Sequence, residues 1–270
     1  MKTVIVPVSG GKDSQVVLAL ASLTGQPIVC VHQNTGWDHP LTYKHIQLME
    51  CFYGVKIEHT VNKWGGMLPW LKTSAYFPNS AARGCTQRLK QEPFAKWLLE
   101  KGYNADNCEI WFGMRSDESA ARNDKYGGIT MEDDFTLGDI SRFYNEGKRK
   151  HLGLIPVKLP VVEWSTDDVF NFLRISNAPL NELYNKGHTR VGCYPCFLAR
   201  KAEWVACGKD PVGVKHLSDL IELEEEWSAR PHKLKFIKVH RTWDVRNFID
   251  PNVNPDDIPE DEHGCGWCSI

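Results

Sequence analysis

No apolar run in this 270-residue chain approaches the roughly 20 residues that a helix needs to cross a bilayer, which excludes a helical membrane span. The opening residues 1–8 run straight into glycine and aspartate without a small-residue cleavage region, so the expected compartment is the cytoplasm. Charge of one sign is not in excess either. With 32 Lys and Arg against 34 Asp and Glu, the formal charge is −2, and no global positive field draws the chain to nucleic acid. There is no internal repeat and no low-complexity tract. What is present, 42% hydrophobic and 24% charged residues, is the mixture of a globular protein with a sizeable core, in one large domain or two modest ones. Nine cysteines in a reducing compartment argue against a disulfide framework and turn attention to metal binding or thiol chemistry.

Short β-branched runs near 3–8, 27–32, 55–60, 109–113 and 154–157 alternate with helical spacing over 14–23, 42–51 and 90–100. That alternation predicts βαβ units and an α/β fold built on a mostly parallel sheet. Pro7 sits awkwardly in the first strand because it removes a ladder donor. Residues 123–151, with Gly127-Gly128, an acidic Glu132-Asp133-Asp134 and a basic Lys148-Arg149-Lys150, read as a long mobile segment, either a lid or a plain solvated connection. Ser165 and Asp168 frame a capped helix running to Ile175, and a helix over 217–227 carries a solvent-facing acidic side.

The residues Ser9-Gly10-Gly11-Lys12-Asp13-Ser14 lie between the first strand and the first helix, where orphan backbone N–H groups and the positive end of the helix dipole converge. Two glycines permit close approach of an anion, and two hydroxyls and an ammonium add donors. The turn is built for phosphate. The glycine spacing before Lys12 is too short for a Walker A loop, and the third glycine of a dinucleotide fingerprint is missing.

Ser-Gly-Gly-Lys-Asp-Ser after an N-terminal strand resembles the PP-loop of the adenine nucleotide alpha-hydrolase superfamily. The stretch from His32 through Asn34, Thr35 and Gly36 to Trp37 resembles the segment beside the adenosine in phosphoadenylyl-sulfate reductases, with Asn34 where Asp is common. Gly113-Met114-Arg115, followed by Glu118, Ser119 and Arg122, resembles a further element of that family, as does the run 179–187 leading to Gly192-Cys193-Tyr194-Pro195-Cys196. The match spans about Thr3 to Cys196, in a family taken broadly to include phage-encoded members and the ATPase of DNA phosphorothioation systems. The resemblance implies a Rossmann-like (HUP) sheet flanked by helices. It implies a nucleotide-binding α/β domain over 1–160 and a helical, Cys-rich C-terminal region over 161–270 packed on it. It further implies that Ser9, Gly10, Gly11, Lys12 and Ser14 cradle pyrophosphate and that Asp13 positions the loop or a magnesium ion. Arg115 and Arg122 then suit a phosphate or sulfate, because a guanidinium donates two parallel bonds.

Cys193-x-x-Cys196 is a spacing that chelates a metal or cluster or forms a redox pair. The segment around Cys85 resembles the cysteine-containing segment of iron–sulfur members of the family, with Thr86 where a second cysteine is found in adenylyl-sulfate reductases. The implied site is a [4Fe–4S] cluster on Cys85, Cys193 and Cys196, with Cys268 favoured as fourth ligand over Cys265 and Cys207, or with an open iron; structural zinc is the alternative. Cys30, Cys51 and Cys108 fit core packing, and His188 reads as a surface residue near the Cys pair. Three functions stay open. The chain adenylates an acceptor with ATP for displacement by a sulfur donor, Lys12 stabilising the leaving pyrophosphate. Or it reduces an adenylyl-sulfate-type nucleotide, with Cys265 or Cys268 as nucleophile and a thiol reductant. Or it is a nucleotide-responsive iron–sulfur module for nucleic acid or a partner protein, using Lys148–Lys150 with Phe143 and Tyr144.

Overall fold

The computed structural model describes residues 1–118, 120–230, 238–240 and 242–259. Six strands form one sheet in the order β3-β2-β1-β4-β6-β5. These are β1 (Thr3–Pro7), β2 (Ile28–Gln33), β3 (Ile57–Thr60), β4 (Cys108–Trp111), β5 (Phe135–Thr136) and β6 (Pro156–Lys158). All neighbours pair in parallel except β5, which runs antiparallel to β6 at the edge. The fold is α/β on a mostly parallel sheet, as the alternation predicts, and Rossmann-like, as the resemblance implies. Parallel strands covered on both faces need continuous apolar runs, and Val4, Ile5 and Val6 of the central strand are fully buried.

Pro7 is tolerated for a reason the register makes plain. Val4 and Val8 donate toward β2, so odd residues face β4, and pairing with β4 ends at Ile5. The missing N–H of Pro7 therefore points past the last rung.

Helices α1 (Lys12–Ser22) and α2 (Pro40–Tyr53) follow β1 and β2, and α3 (Met67–Ser74) follows β3. A short α4 (Gly84–Thr86) runs through a π turn at Gln87–Gln91 into α5 (Glu92–Glu100), so this helix begins earlier than its apolar spacing indicates. Next come α6 (Ala120–Tyr126), α7 (Leu137–Ile140) and α8 (Thr166–Ile175), the last opened by the expected Ser165–Asp168 capping box. Finally, α9 (Lys201–Gly208) and α10 (Pro211–Ser228) pack against each other. Among the described residues no helix is long and apolar enough to cross a membrane.

Three expectations are corrected. The segment 123–151 is packed, because Tyr126, Leu137, Ile140, Phe143 and Tyr144 bury themselves with β4 and β6 in one apolar cluster. Its high content of Gly and charge concealed an apolar face carried by very short elements. The aromatic rings at Phe143 and Tyr144 are accordingly buried, and the Arg149 guanidinium covers the Phe143 ring at 3.9 Å, so they do not offer a base a stacking platform. Cys51 is exposed on α2, whereas Cys30 and Cys108 are in the core as expected.

Candidate functional site

The strand order reverses between β1 and β4, and a cleft opens beyond the carboxyl ends of these strands, where α/β sheets bind ligands. Ser9, Gly11 and Ser14 border it from the β1–α1 turn, Phe112 and Gly113 from the end of β4, and Cys193 and Cys196 from the opposite wall.

The turn is shaped by its glycines. Gly10 has φ of +75°, and a Cβ there would stand 2.7 Å from Thr42 Cγ2 on α2. At Gly113 a Cβ would meet the Asp13 carbonyl carbon at 2.7 Å, so β4 lies backbone to backbone on the first turn of α1. Gly11 caps α1 without a side-chain bond, which leaves the amides at that terminus to other partners. Ser14 Oγ accepts from the Ser9 N–H at 3.1 Å and donates to the Gly11 carbonyl at 3.0 Å, which sets the curvature of the turn.

The run following Pro179 clamps the same turn from outside. Asn181 Nδ2 donates to the Gly10 carbonyl at 3.1 Å, Gln15 Nε2 to the Pro179 carbonyl at 2.7 Å, and the Lys12 N–H to the Tyr184 hydroxyl at 2.9 Å. Burial lowers the Lys12 pKa, and its ammonium is held by Asp13 at 3.0 Å.

Arg115, which the resemblance assigns to a phosphate or sulfate, is not among the residues that line the cleft. It is 1% exposed; its Nε donates to Asp13 at 2.6 Å, Nη1 to the Trp164 carbonyl at 3.1 Å and to Asp117 at 3.2 Å, and Nη2 to Thr166 at 3.1 Å. With every guanidinium nitrogen engaged, it braces α1 against α8. Asp13 is correspondingly shared between Lys12 and Arg115. Arg122 borders the cleft but is paired with Glu118.

Beyond β2, His32 is buried at the cleft and donates from Nδ1 to the Val8 carbonyl at 2.8 Å, leaving Nε2 unpartnered 3.9 Å from Asp38. Burial lowers its pKa. Asn34 is engaged locally, accepting from the Gly36 N–H and the Tyr43 hydroxyl, and so shapes the loop. Thr35 donates to Asp38 at 3.0 Å and stands 3.6 Å from Cys193 Sγ. This loop is stitched to the thiol turn by an antiparallel bridge between Asp38 and Cys193 and by the Tyr194 N–H donating to the Trp37 carbonyl at 2.7 Å.

Cys85, Cys193 and Cys196 pack against the same apolar cluster, and Lys90, carried inward on the π turn, lies among the charges of Cys193, Asp38 and Cys196. Burial raises Cys85 to about 11 and also raises Cys193, with Lys90 opposing. Among the described residues no group of three or more His, Cys, Asp or Glu is gathered tightly enough to hold a single metal ion. A cubane spreads its thiolates more widely than a single ion does. Cys193 and Cys196 line the cleft, and Cys85 packs on the same apolar cluster behind it; three soft donors beside a cation that offsets thiolate charge fit that demand in chemistry. Cys265 and Cys268 lie outside the described residues.

Sequence reasoning missed four residues. His188 is buried rather than at the surface, with Nδ1 2.7 Å from Glu203 and Nε2 3.2 Å from the Tyr194 hydroxyl. Tyr184, Arg190 and Lys90 sat inside or beside quoted motifs without being given a role; the signal was their position between the phosphate loop and the cysteines.

The sequence matches the phosphoadenosine phosphosulfate reductase domain over residues 3–199. It is 32% identical over 201 residues to an uncharacterized protein of Methanocaldococcus jannaschii, covering 72% of this chain and 36% of that one. An uncharacterized 37.8 kDa protein of Escherichia phage 186 is 28% identical, with 74% and 68% covered. The chloroplastic 5'-adenylylsulfate reductase 1 of Arabidopsis thaliana is 26% identical, covering 77% of this chain and 45% of the enzyme. The chain thus spans less than half of the archaeal and plant relatives. The crystal structure of phosphoadenylyl-sulfate reductase from Candida auris has a TM-score of 0.51 at 17% identity, covering 72% of this chain and 82% of that one, a likeness of fold.

Proposed function

This chain belongs to the phosphoadenosine phosphosulfate reductase domain family, and we propose that it is an adenine-nucleotide enzyme that holds the phosphates on its β1–α1 turn and activates an acceptor for sulfur chemistry beside a cysteine-held iron–sulfur cluster. One observation carries this reading: the phosphate turn and Cys193-x-x-Cys196 border the same cleft at the sheet's switch point.

The turn does the electrostatic work. An acceptor oxygen attacks the α-phosphorus of ATP, the bond to the bridging oxygen breaks, and pyrophosphate leaves with charge taken up by the N-terminal amides of α1 and the Lys12 ammonium. Asp13 holds that ammonium in place, and Arg115 holds Asp13. His32 borders the same cleft from the end of β2. Cys85, Cys193 and Cys196 would hold the cluster, with Cys268 as fourth ligand. When bound, the cluster supplies iron for sulfur binding or electron transfer.

A second reading, reduction of an adenylyl-sulfate-type nucleotide by a thiol, draws support from the relation to 5'-adenylylsulfate reductases. Burial raises Cys193 and Cys207, which makes them poor nucleophiles, so this reading assigns attack to Cys265 or Cys268.

The test is a preparation made without oxygen, assayed for iron and acid-labile sulfide, then for pyrophosphate release from ATP and sulfite release from adenylyl sulfate. Pyrophosphate release supports the first reading, and sulfite release establishes the second. Lys12→Ala should abolish nucleotide cleavage and leave the iron. Cys193→Ser should remove the iron, and unchanged metal content would refute the ligand set.

A further inference from the structure

We propose that Arg190 is a nucleotide-binding residue that grips the second anionic group of the ligand, the one joined to the α-phosphate, at the point where the phosphate turn meets the thiol pair. The proposal deepens the function above and rests on it.

The backbone on both sides of Arg190 is fixed. On its N-terminal side, Glu203 of α9 accepts from the Thr189 N–H at 2.8 Å and the Thr189 hydroxyl at 2.7 Å, and its other oxygen lies 2.7 Å from His188 Nδ1. Following it, the Val191 carbonyl lies against the phosphate turn, where a Cβ on Gly11 would stand 3.3 Å from that oxygen. Two residues later Cys193 is bridged to Asp38. Arg190 is thus held on a short taut span between the turn and the thiols, and it borders the cleft that both share.

Its charge reaches the phosphate turn. At Lys12 it adds to burial in lowering the pKa, and it lines the same cleft as Cys193 and Cys196. The residue is itself exposed at the cleft mouth, so its guanidinium meets a ligand at little desolvation cost. A planar fork donating two parallel bonds suits a tetrahedral oxyanion, and the β-phosphate of ATP and the sulfate of adenylyl sulfate share that chemistry.

The experiment is calorimetric titration of the full chain, prepared without oxygen, with AMP, with magnesium and ATP, and with adenylyl sulfate, comparing wild type, Arg190→Ala, Arg190→Lys and Lys12→Ala. Arg190→Ala should keep AMP affinity within about twofold while weakening a nucleotide bearing the second anion by about ten- to a hundredfold, as expected for a lost charge-assisted pair. Arg190→Lys should fall between. Loss with ATP identifies a polyphosphate, and loss with adenylyl sulfate a sulfate. Arg190→Ala binding all three nucleotides like wild type, or losing AMP as severely as the others, overturns the proposal while leaving the nucleotide reading intact if Lys12→Ala still weakens binding. Absence of binding by the wild type to any of the three overturns the nucleotide reading itself, and this proposal with it.

Discussion

Arg115→Ala tests whether this arginine braces the fold or binds a ligand. The side chain is 1% exposed and bonds to Asp13, the Trp164 carbonyl and Thr166, tying the end of β4 to the first turns of α1 and α8. Removing one partner of a buried ion pair costs about 3–5 kcal/mol, because the remaining charge stays buried. The contact to Asp117, itself 55% exposed, adds little. At roughly 2–4 °C per kcal/mol for a protein of this size, the unfolding midpoint should fall by about 6–20 °C. Arg115→Lys keeps the charge but loses the fork, and should cost roughly half as much. Guanidinium titration and calorimetry of the three proteins measure this directly. A variant within about 1 kcal/mol of wild type whose nucleotide affinity has nevertheless collapsed would refute the brace and restore Arg115 as a phosphate ligand.

Acid should weaken the fold through His45, which donates from Nε2 to Gln15 while its Nδ1 is buried without a partner, and whose pKa burial lowers from 6.5 to about 4. Between those values the unfolded chain binds more protons, so this contribution is complete above pH 6.5 and is lost as pH falls toward 4, by about 3 kcal/mol at most. The denaturant midpoint of wild type should fall over that window and that of His45→Gln should fall less; parallel curves would sink the assignment. Gly10→Ala forces a side chain into φ of +75° against Thr42, and should cost about 1–2 kcal/mol together with most nucleotide binding, as read by melting and titration. Tyr184→Phe removes the acceptor for the Lys12 N–H and should lower stability by about 1 kcal/mol, measured by urea titration. Among the core-predicted cysteines, exposed Cys51 should react with a thiol reagent in the native protein while Cys30, raised to about 12, and Cys108, raised to about 11, should not; mass spectrometry of the labelled peptides decides.

Five of the six strands were legible because parallel strands buried on both faces write themselves as β-branched runs. The position of the turn at residues 8–11 was equally legible, since paired glycines after a β-branched run mark a strand-to-helix junction. The strand β5, at two residues, is too short for any period to register, and the packed segment around it carries its apolar residues singly between charges. The motif specifies Arg115 by residue type but not which way its donors turn. Only the arrival of Trp164 and Thr166, some 50 positions away in sequence, consumes them. His188 hid for the same reason: Glu203 and Tyr194 come to it from the fold, not from its neighbours.

The backbone stitch joining Trp37 and Asp38 to Cys193 and Tyr194 leaves the nucleotide loop and the sulfur turn without independent freedom. Any ligand that shifts one must do work on the other, and thermodynamic reciprocity makes the influence equal in both directions. A displacement of residues 35–38 should therefore be felt at Cys193, and a displacement of the Cys193 turn at Thr35, whose hydroxyl stands 3.6 Å from the Cys193 sulfur.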